Sequence, residues 1–291
     1  MNTKKFGSAI GIAAAVLAIG AVVGWLLALA LVPPTTLHAW TLNLTPGISA
    51  MSQRVYQLHM EVFWVTVAIG FFVFSWMIYS LIVFRKSRGA KPDVGLTHNT
   101  KAEVIWTIVP VLILIGMAVP ATRTLIETED ATNTEMTIRI TGYQWKWGYQ
   151  YVDTGVELFS TLDRASNAAR QLGSGIDPRS VPNYLLSVDH PLVVPAGVKV
   201  RLLITAQDVI HAWWVPALAI KKDAIPGFIN EAWFKIDADK TGLYRGQCAE
   251  LCGRDHGLMP IVIDVRSKAD FDAWMKTQKA LQRPADPAQA S

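Results

Sequence analysis

Cysteine is scarce in this chain: Cys248 and Cys252 are the only two among 291 residues. That excludes a disulfide-stapled scaffold, and the absence of any CxxCH excludes covalently attached haem c. Charge is also sparse, at 17 % of residues, and no internal repeat is present. A solvated, disordered chain and a repeat solenoid are therefore both excluded. There are only six histidines, so each one near a thiol counts as a candidate ligand.

What the chain has in abundance is apolar. Hydrophobic residues make up 51 % of it and concentrate in the first 125 positions. Three runs of about 20 residues are long enough to span a bilayer. They cover Phe6 to Val32, Val62 to Phe84, and Val104 to Leu125, the last including Pro110 and Pro120. The first run follows Lys4 and Lys5 and precedes the small-residue site Leu37-His38-Ala39. Residues 1–39 thus read as a signal peptide cut before Trp40 or as an uncleaved membrane helix. Residues 40–125 read as a transmembrane hairpin whose loop, 85–101, carries Arg85, Lys86, Arg88, Lys91 and Lys101 and is cytoplasmic by its positive charge. Residues 126–267 are then exported, which in a bacterium means into the periplasm from the inner membrane. From Leu125 to Val265 there are 17 acidic and 13 basic residues, a net −4, and the rest of the chain carries +8. Such an acidic domain repels nucleic acid and attracts basic proteins.

The exported half alternates in short segments with Gly and Pro punctuation: MTIRITGYQWKWGYQYV, YLLSVDHPLVVPAG, VKVRLLITAQDV, FINEAWFKID and PIVIDVRS. Strands without intervening helices predict an all-β sandwich or barrel of Greek-key type. Residues 163–182 read as a polar surface insertion. Residues 268–291 read as a short helix, KADFDAWMKTQKALQ, followed by a disordered tail.

The chemistry concentrates in GQCAELCGRDHGLMP, where Cys248, Cys252, His256 and Met259 are spaced by four, four and three. Gly253, Gly257 and Pro260 oppose a regular helix, so the stretch reads as a loop wrapped around a centre. Three readings stand open on residue types. A small disulfide ring would gain little from loop closure and leaves His256 and Met259 unused. Structural zinc needs a second imidazole and leaves Met259 idle. Copper favours soft thiolate and thioether donors, and two cysteines permit a bridged metal pair if a second histidine arrives from elsewhere. His190 lies in a turn; His211, in DVIHAWWVPALAI, follows a strand and abuts an apolar run.

DVIHAWWVPALAIKKDAIPGFINEAWF and YRGQCAELCGRDHGLMPIVIDV together closely resemble subunit II of bacterial cytochrome c oxidase, a haem–copper oxidase, and the likeness runs from about Pro46 to Ser267. The resemblance implies a two-helix anchor with a cupredoxin-like domain holding a dinuclear copper centre, CuA. It implies that Cys248 and Cys252 bridge the metals, that His211 and His256 each bind one, and that Met259 and the Glu250 carbonyl are weak ligands. The Glu250 carboxylate matches a ligand of a magnesium or manganese ion shared with subunit I. Trp145, in GYQWKWGYQY, matches the tryptophan through which electrons from cytochrome c enter. Trp213, Trp214 and Pro216 are expected to keep the site dry. Asp189 and Asp208 match docking carboxylates, and Glu157 lies near the same patch in sequence. Lys146 and Gln150 stand where relatives carry an aromatic and an acid. Glu103, in HNTKAEVIWTIVP, matches the mouth of a proton channel belonging to subunit I. The implied function is electron entry from a separate cytochrome c, with oxygen reduction and proton pumping in the partner subunits. A quinol oxidase subunit would lack the copper ligands, and nitrous oxide reductase would need a further catalytic domain. A membrane-anchored copper-delivery protein is the remaining alternative.

Overall fold

The computed structural model describes residues 43–91, 94–95 and 97–282. The predicted leader and the tail beyond 282 lie outside the described residues. The described chain divides into two units, one centred on Tyr56–Arg123 and the other joining Pro46–Val55 to residues 124 onward.

The first unit is carried by helices α1 (Ala50–Val83) and α2 (Thr100–Glu129), both long and apolar enough to cross a membrane. Their large apolar side chains point outward, Phe72, Trp76 and Leu81 among them. The few hydroxyls bond back into the helix, Thr66 to the Val62 carbonyl and Ser80 to the Trp76 carbonyl, both at 2.9 Å. These two hydroxyls are thereby satisfied within the helix rather than left to lipid. The helices overrun the hydrophobic runs because caps, not hydropathy, set their starts. Ser49 Oγ accepts from the Ser52 N–H at 3.0 Å, and Asn99 Oδ1 accepts from the Ala102 N–H at 3.2 Å. Glu103 Oε1 accepts in turn from the Asn99 N–H at 3.2 Å, which closes a capping box. Pro110 and Pro120 lie inside α2 without ending it.

The second unit is a sandwich of two five-stranded sheets. One has the order β3 (Val156–Ser160), β2 (Lys146–Tyr151), β1 (Met136–Tyr143), β5 (Lys199–Ala206), β8 (Asn230–Lys235). The other runs β4 (Leu192–Pro195), β10 (Pro260–Arg266), β9 (Gly242–Cys248), β6 (His211–Val215), β7 (Ile220–Ala224). β1 pairs in parallel with β5 and β4 with β10; the other pairs are antiparallel. The all-β expectation holds, with β3, β6, β7 and β9 added to the five alternating segments. Period-two alternation sends Trp147, Tyr149 and Tyr151 of β2, Ile138 and Ile140 of β1, and Ile261 and Ile263 of β10 into the shared core. Each such side chain contributes roughly 1.5–3 kcal/mol by leaving water.

MTIRITGYQWKWGYQYV is not one strand but a hairpin, because the chain turns at Gln144-Trp145 before β2. The insertion contains α3 (Arg164–Ala169), whose first N–H groups, from Ala165 and Ser166, donate to the Asp163 carboxylate at 3.0 and 3.1 Å. The final helix, α4 (Lys268–Gln282), has the predicted bounds and buries Phe271 and Met275 one turn apart. Its last residue closes the open edge of β3: the Gln282 amide accepts from the Glu157 N–H at 3.0 Å and donates to the Glu157 carbonyl at 2.5 Å.

Candidate metal centre

Two structural features deliver the donors. β9 ends at Cys248, and the loop after it returns through Cys252 and a single 3-10 turn at His256 to Met259, just ahead of β10. His211 opens β6, the strand paired with β9, with Trp213 opposite Cys248. The second histidine demanded by the copper reading is therefore placed by sheet pairing rather than by sequence proximity.

The donors converge. The nitrogen and sulfur atoms of His211, Cys248 and Cys252 lie within 4.8 Å of one another, and all three residues are buried. The two sulfurs are 3.9 Å apart, far beyond a disulfide bond, so both thiols are free. His211 Nδ1 is 4.0 Å from Cys248 Sγ, and His256 Nδ1 is 3.5 Å from Cys252 Sγ. Met259 Sδ is 3.5 Å from Cys252 Sγ, and the Glu250 carbonyl oxygen is 3.4 Å from Cys248 Sγ. All six groups expected to bind metal are thus brought together. Two thiols, two imidazoles and a thioether around one apolar point form a donor set suited to copper. Met259 has no counterpart in a closed zinc site.

Glycine permits the close approach of the imidazole. A Cβ on Gly142 would stand 2.7 Å from His211 Cδ2, so β1 can pass beside the ring only as glycine. Trp147 packs edge-on against His211 at 5.9 Å between ring centroids and donates Nε1–H to the Met259 carbonyl at 3.3 Å. Trp213 is fully buried beside the site, whereas Trp214 points outward and Pro216 begins the next turn. Dryness is therefore supplied by Trp147 and Trp213 rather than by Trp214.

An outer layer orients the ligands. Asp208 Oδ1 accepts from His211 Nε2 at 2.9 Å, which fixes the proton there and leaves the Nδ1 lone pair facing Cys248. The same carboxylate accepts from the Gln144 N–H and the Val209 N–H, both at 2.7 Å. The Gln144 side chain continues to the Cys252 carbonyl at 2.9 Å, beside Trp145 Nε1–H at 3.2 Å. One dipeptide, Gln144-Trp145, therefore touches both the carboxylate that holds His211 and the backbone of Cys252. Nothing local in the sequence marked Gln144, whose contact spans 108 positions.

Electrostatics follow from these contacts. Burial would raise the Asp208 carboxyl, but His211 and the N–H groups of Gln144 and Val209 hold it below the usual range. Burial would likewise lower His211, yet Cys248 and Asp208 raise it. Cys248 is disfavoured as a thiolate by burial but is brought down by His211 and the backbone of Ala212 and Glu250. Cys252 is raised by burial and by the charge of Cys248. A cation between the sulfurs would relieve that mutual repulsion.

The remaining expected residues fall elsewhere. Asp189 accepts from Thr161 N–H at 2.7 Å, Thr161 Oγ1–H at 2.9 Å and His190 N–H at 2.7 Å. His190 itself is exposed beside Asp189 and stays out of the donor cluster. Glu157 pairs with Gln150 across β2 and β3. Glu103 belongs to the α2 capping box described above.

Residues 136–266 match the family described as cytochrome c oxidase subunit II, periplasmic domain. Residues 37–124 match its transmembrane domain. The chain is 37 % identical over 240 residues to a probable cytochrome c oxidase subunit 2 of Rickettsia bellii, covering 82 % of this chain and 84 % of that one. It is 32 % identical over 239 residues to cytochrome c oxidase subunit 2 of Cereibacter sphaeroides, covering 79 % and 78 %. A solved periplasmic domain of cytochrome oxidase subunit II from Bradyrhizobium japonicum is 41 % identical, spans 53 % of this chain and 99 % of its own, and superposes with a TM-score of 0.44. With the donor cluster, the two spanning helices and relatives matched over most of their length, the chain belongs to the cytochrome c oxidase subunit II family.

Proposed function

We propose that the chain is the electron-entry subunit of its oxidase at the bacterial inner membrane. In this reading it takes single electrons from cytochrome c through Trp145 and hands them to haem in subunit I. Oxygen reduction and proton pumping belong to that partner. The observation that carries the reading is the convergence of His211, Cys248, Cys252, His256, Met259 and the Glu250 carbonyl in one cluster, in which His211, Cys248, Cys252 and Met259 are buried.

These six groups would hold a dinuclear copper centre, with the two sulfurs shared. Bound there, a copper pair supplies one-electron redox chemistry. The chain's own residues do the rest. Asp208 keeps Nδ1 of His211 free for metal, and Gln144 and Trp145 hold the Cys252 backbone. Trp147 and Trp213 exclude water, and strands β6 and β9 limit movement of the ligands between oxidation states. Trp145 Nε1 reaches the Cys252 carbonyl directly, which makes it a short bridge between surface and ligand loop. Glu250 is exposed beside the cluster, and its carboxylate is free to serve a magnesium or manganese ion shared with subunit I. Glu103 sits in the first turn of α2 and is proposed at the mouth of the proton channel. Buried donors on a rigid sandwich give no support to the copper-delivery alternative.

Replacing Trp145 by Phe in the assembled oxidase tests the route. Copper content and spectrum are expected to persist while reduction by cytochrome c slows sharply. Unchanged reduction kinetics would remove Trp145 from the path.

A further inference from the structure

At the far end of α1 three aromatic rings lead into a run of positive charge. Trp76 and Tyr79 lie 6.3 Å apart between ring centroids, and Tyr79 meets Phe84 edge-on at 6.2 Å. All three are exposed, and rings of this kind settle at the headgroup level of a bilayer. Arg85 follows at once, and Lys86–Arg88 form a single 3-10 turn. The Arg88 N–H donates to the Arg85 carbonyl at 3.0 Å, and the Gly89 N–H donates to the Lys86 carbonyl at 2.9 Å. Gly89 closes the turn at a φ of +77°, a left-handed conformation that a side chain would strain.

The charges on this turn have no acid to meet. Arg85, Lys86, Arg88 and Lys91 are exposed, and no carboxylate pairs with them among the described residues. Asp93 is the one acid between Phe84 and Lys101 in the sequence. Glu103, the next along, accepts from the Asn99 N–H in the α2 cap. Holding a loop on one side of a membrane needs positive charge anywhere in it. It does not need two guanidinium groups and an ammonium within four residues, fixed by a closed turn, directly beyond a group of interfacial rings. That arrangement fits a ligand with a phosphate at the membrane surface and a hydrocarbon body beneath it.

We propose that Arg85, Lys86 and Arg88 bind the phosphate of an anionic phospholipid, while Trp76, Tyr79 and Phe84 lie against its glycerol and upper acyl chains. Arginine offers a phosphate paired N–H donors, and lysine adds a compact charge. The C-terminal end of a helix favours the same cations. Each cation near an anionic membrane surface adds to the attraction, so three together select charged headgroups over zwitterionic ones. The ligand is a membrane lipid rather than free phosphate, because the rings contribute only where acyl chains are present.

The test uses the full chain in phosphatidylcholine nanodiscs doped with spin-labelled phosphatidylglycerol or, in parallel, spin-labelled phosphatidylcholine. The fraction of label immobilised on the protein reports the preference for each headgroup. The parent chain is expected to favour phosphatidylglycerol. Arg85→Gln combined with Lys86→Gln and Arg88→Gln should lower that preference about fivefold or more. Raised salt should lower it in the parent and change the triple variant little. Lys276→Gln, an exposed neutralisation on α4, should leave it as in the parent. Arg85→Lys combined with Arg88→Lys keeps every charge and should retain most of the preference, which covers the case of a triple variant that fails to fold. Equal immobilisation of both labels by the parent would overturn the proposal. So would an undiminished preference in the triple variant, its loss in the lysine pair, or displacement of the label by millimolar inorganic phosphate. The copper ligands take no part in this contact, so the lipid result and the electron-entry reading fail separately.

Discussion

The two units use the same residue types in opposite senses. In the helical unit Trp76 is 67 % exposed and Phe72 71 %, whereas in the sandwich Trp147 and Trp213 are wholly buried. The helices place aromatic rings where lipid is the solvent, and the sandwich places them where water must be kept out. Aromatic content therefore says little by itself. Periodicity decides: the helical runs are apolar all round, while the strands alternate and leave only one face to the core.

Several substitutions would break or sharpen that contrast. The largest effect is expected at the point where the sandwich core becomes chemical. Cys252→Ser removes one of the two sulfurs proposed to bridge the metals, and metal analysis should show loss of the expected dinuclear spectrum while circular dichroism shows a folded domain. Next comes packing. Leu202→Ala, in the buried stripe of β5, should cost about 2–5 kcal/mol in the unfolding of the sandwich, read from the full chain in detergent. Leu112→Ala, on the outward face of α2, should leave that transition in place. Equal effects would erase the distinction between the two units.

A smaller effect is expected in the layer behind the ligands. Asp208→Asn retains the shape but weakens the hold on His211 Nε2, and copper extraction by a chelator should accelerate about 10–100-fold. The smallest concerns Tyr151, whose hydroxyl donates to the Val193 carbonyl at 2.7 Å and accepts from the Val193 N–H at 3.1 Å. Burial raises its phenol above the usual range. Below the unfolded value of about 10 both states are protonated, so its contribution is fully present; above it only the unfolded chain releases the proton. Sandwich stability should therefore fall as pH rises beyond about 10, and Tyr151→Phe should soften that fall, measurable by thermal unfolding across alkaline pH.

How much of this could be read from the sequence follows the range of each interaction. The bounds of α4 were legible because Phe271 and Met275 repeat at helical spacing and the polar residues alternate around them. His211 was legible through chemistry: two sulfurs, one imidazole and a thioether require a second imidazole, and one stood beside an apolar run. The turn at Gln144-Trp145 was not legible, because neither residue is a turn former. It is held by Asp208 and by the Cys252 carbonyl, contacts 64 and 108 positions away. For the expected docking acids, sequence shows the charge but not the hydrogen bonds it also serves. In the fold, Asp189 and Asp208 hold backbone and histidine donors. The strands β6, β7 and β9 escaped the alternating pattern because glycine, lysine and an unbroken aromatic run interrupt it.

The account depends on two sulfur atoms and two imidazoles sharing one buried metal site. Copper analysis of the purified full chain, with its electron paramagnetic resonance spectrum, tests this most directly. The expected result is two copper ions per chain with a seven-line pattern from one unpaired electron shared between them. A single copper per chain, or Cys248 and Cys252 joined as a disulfide in the mature oxidase, would contradict it.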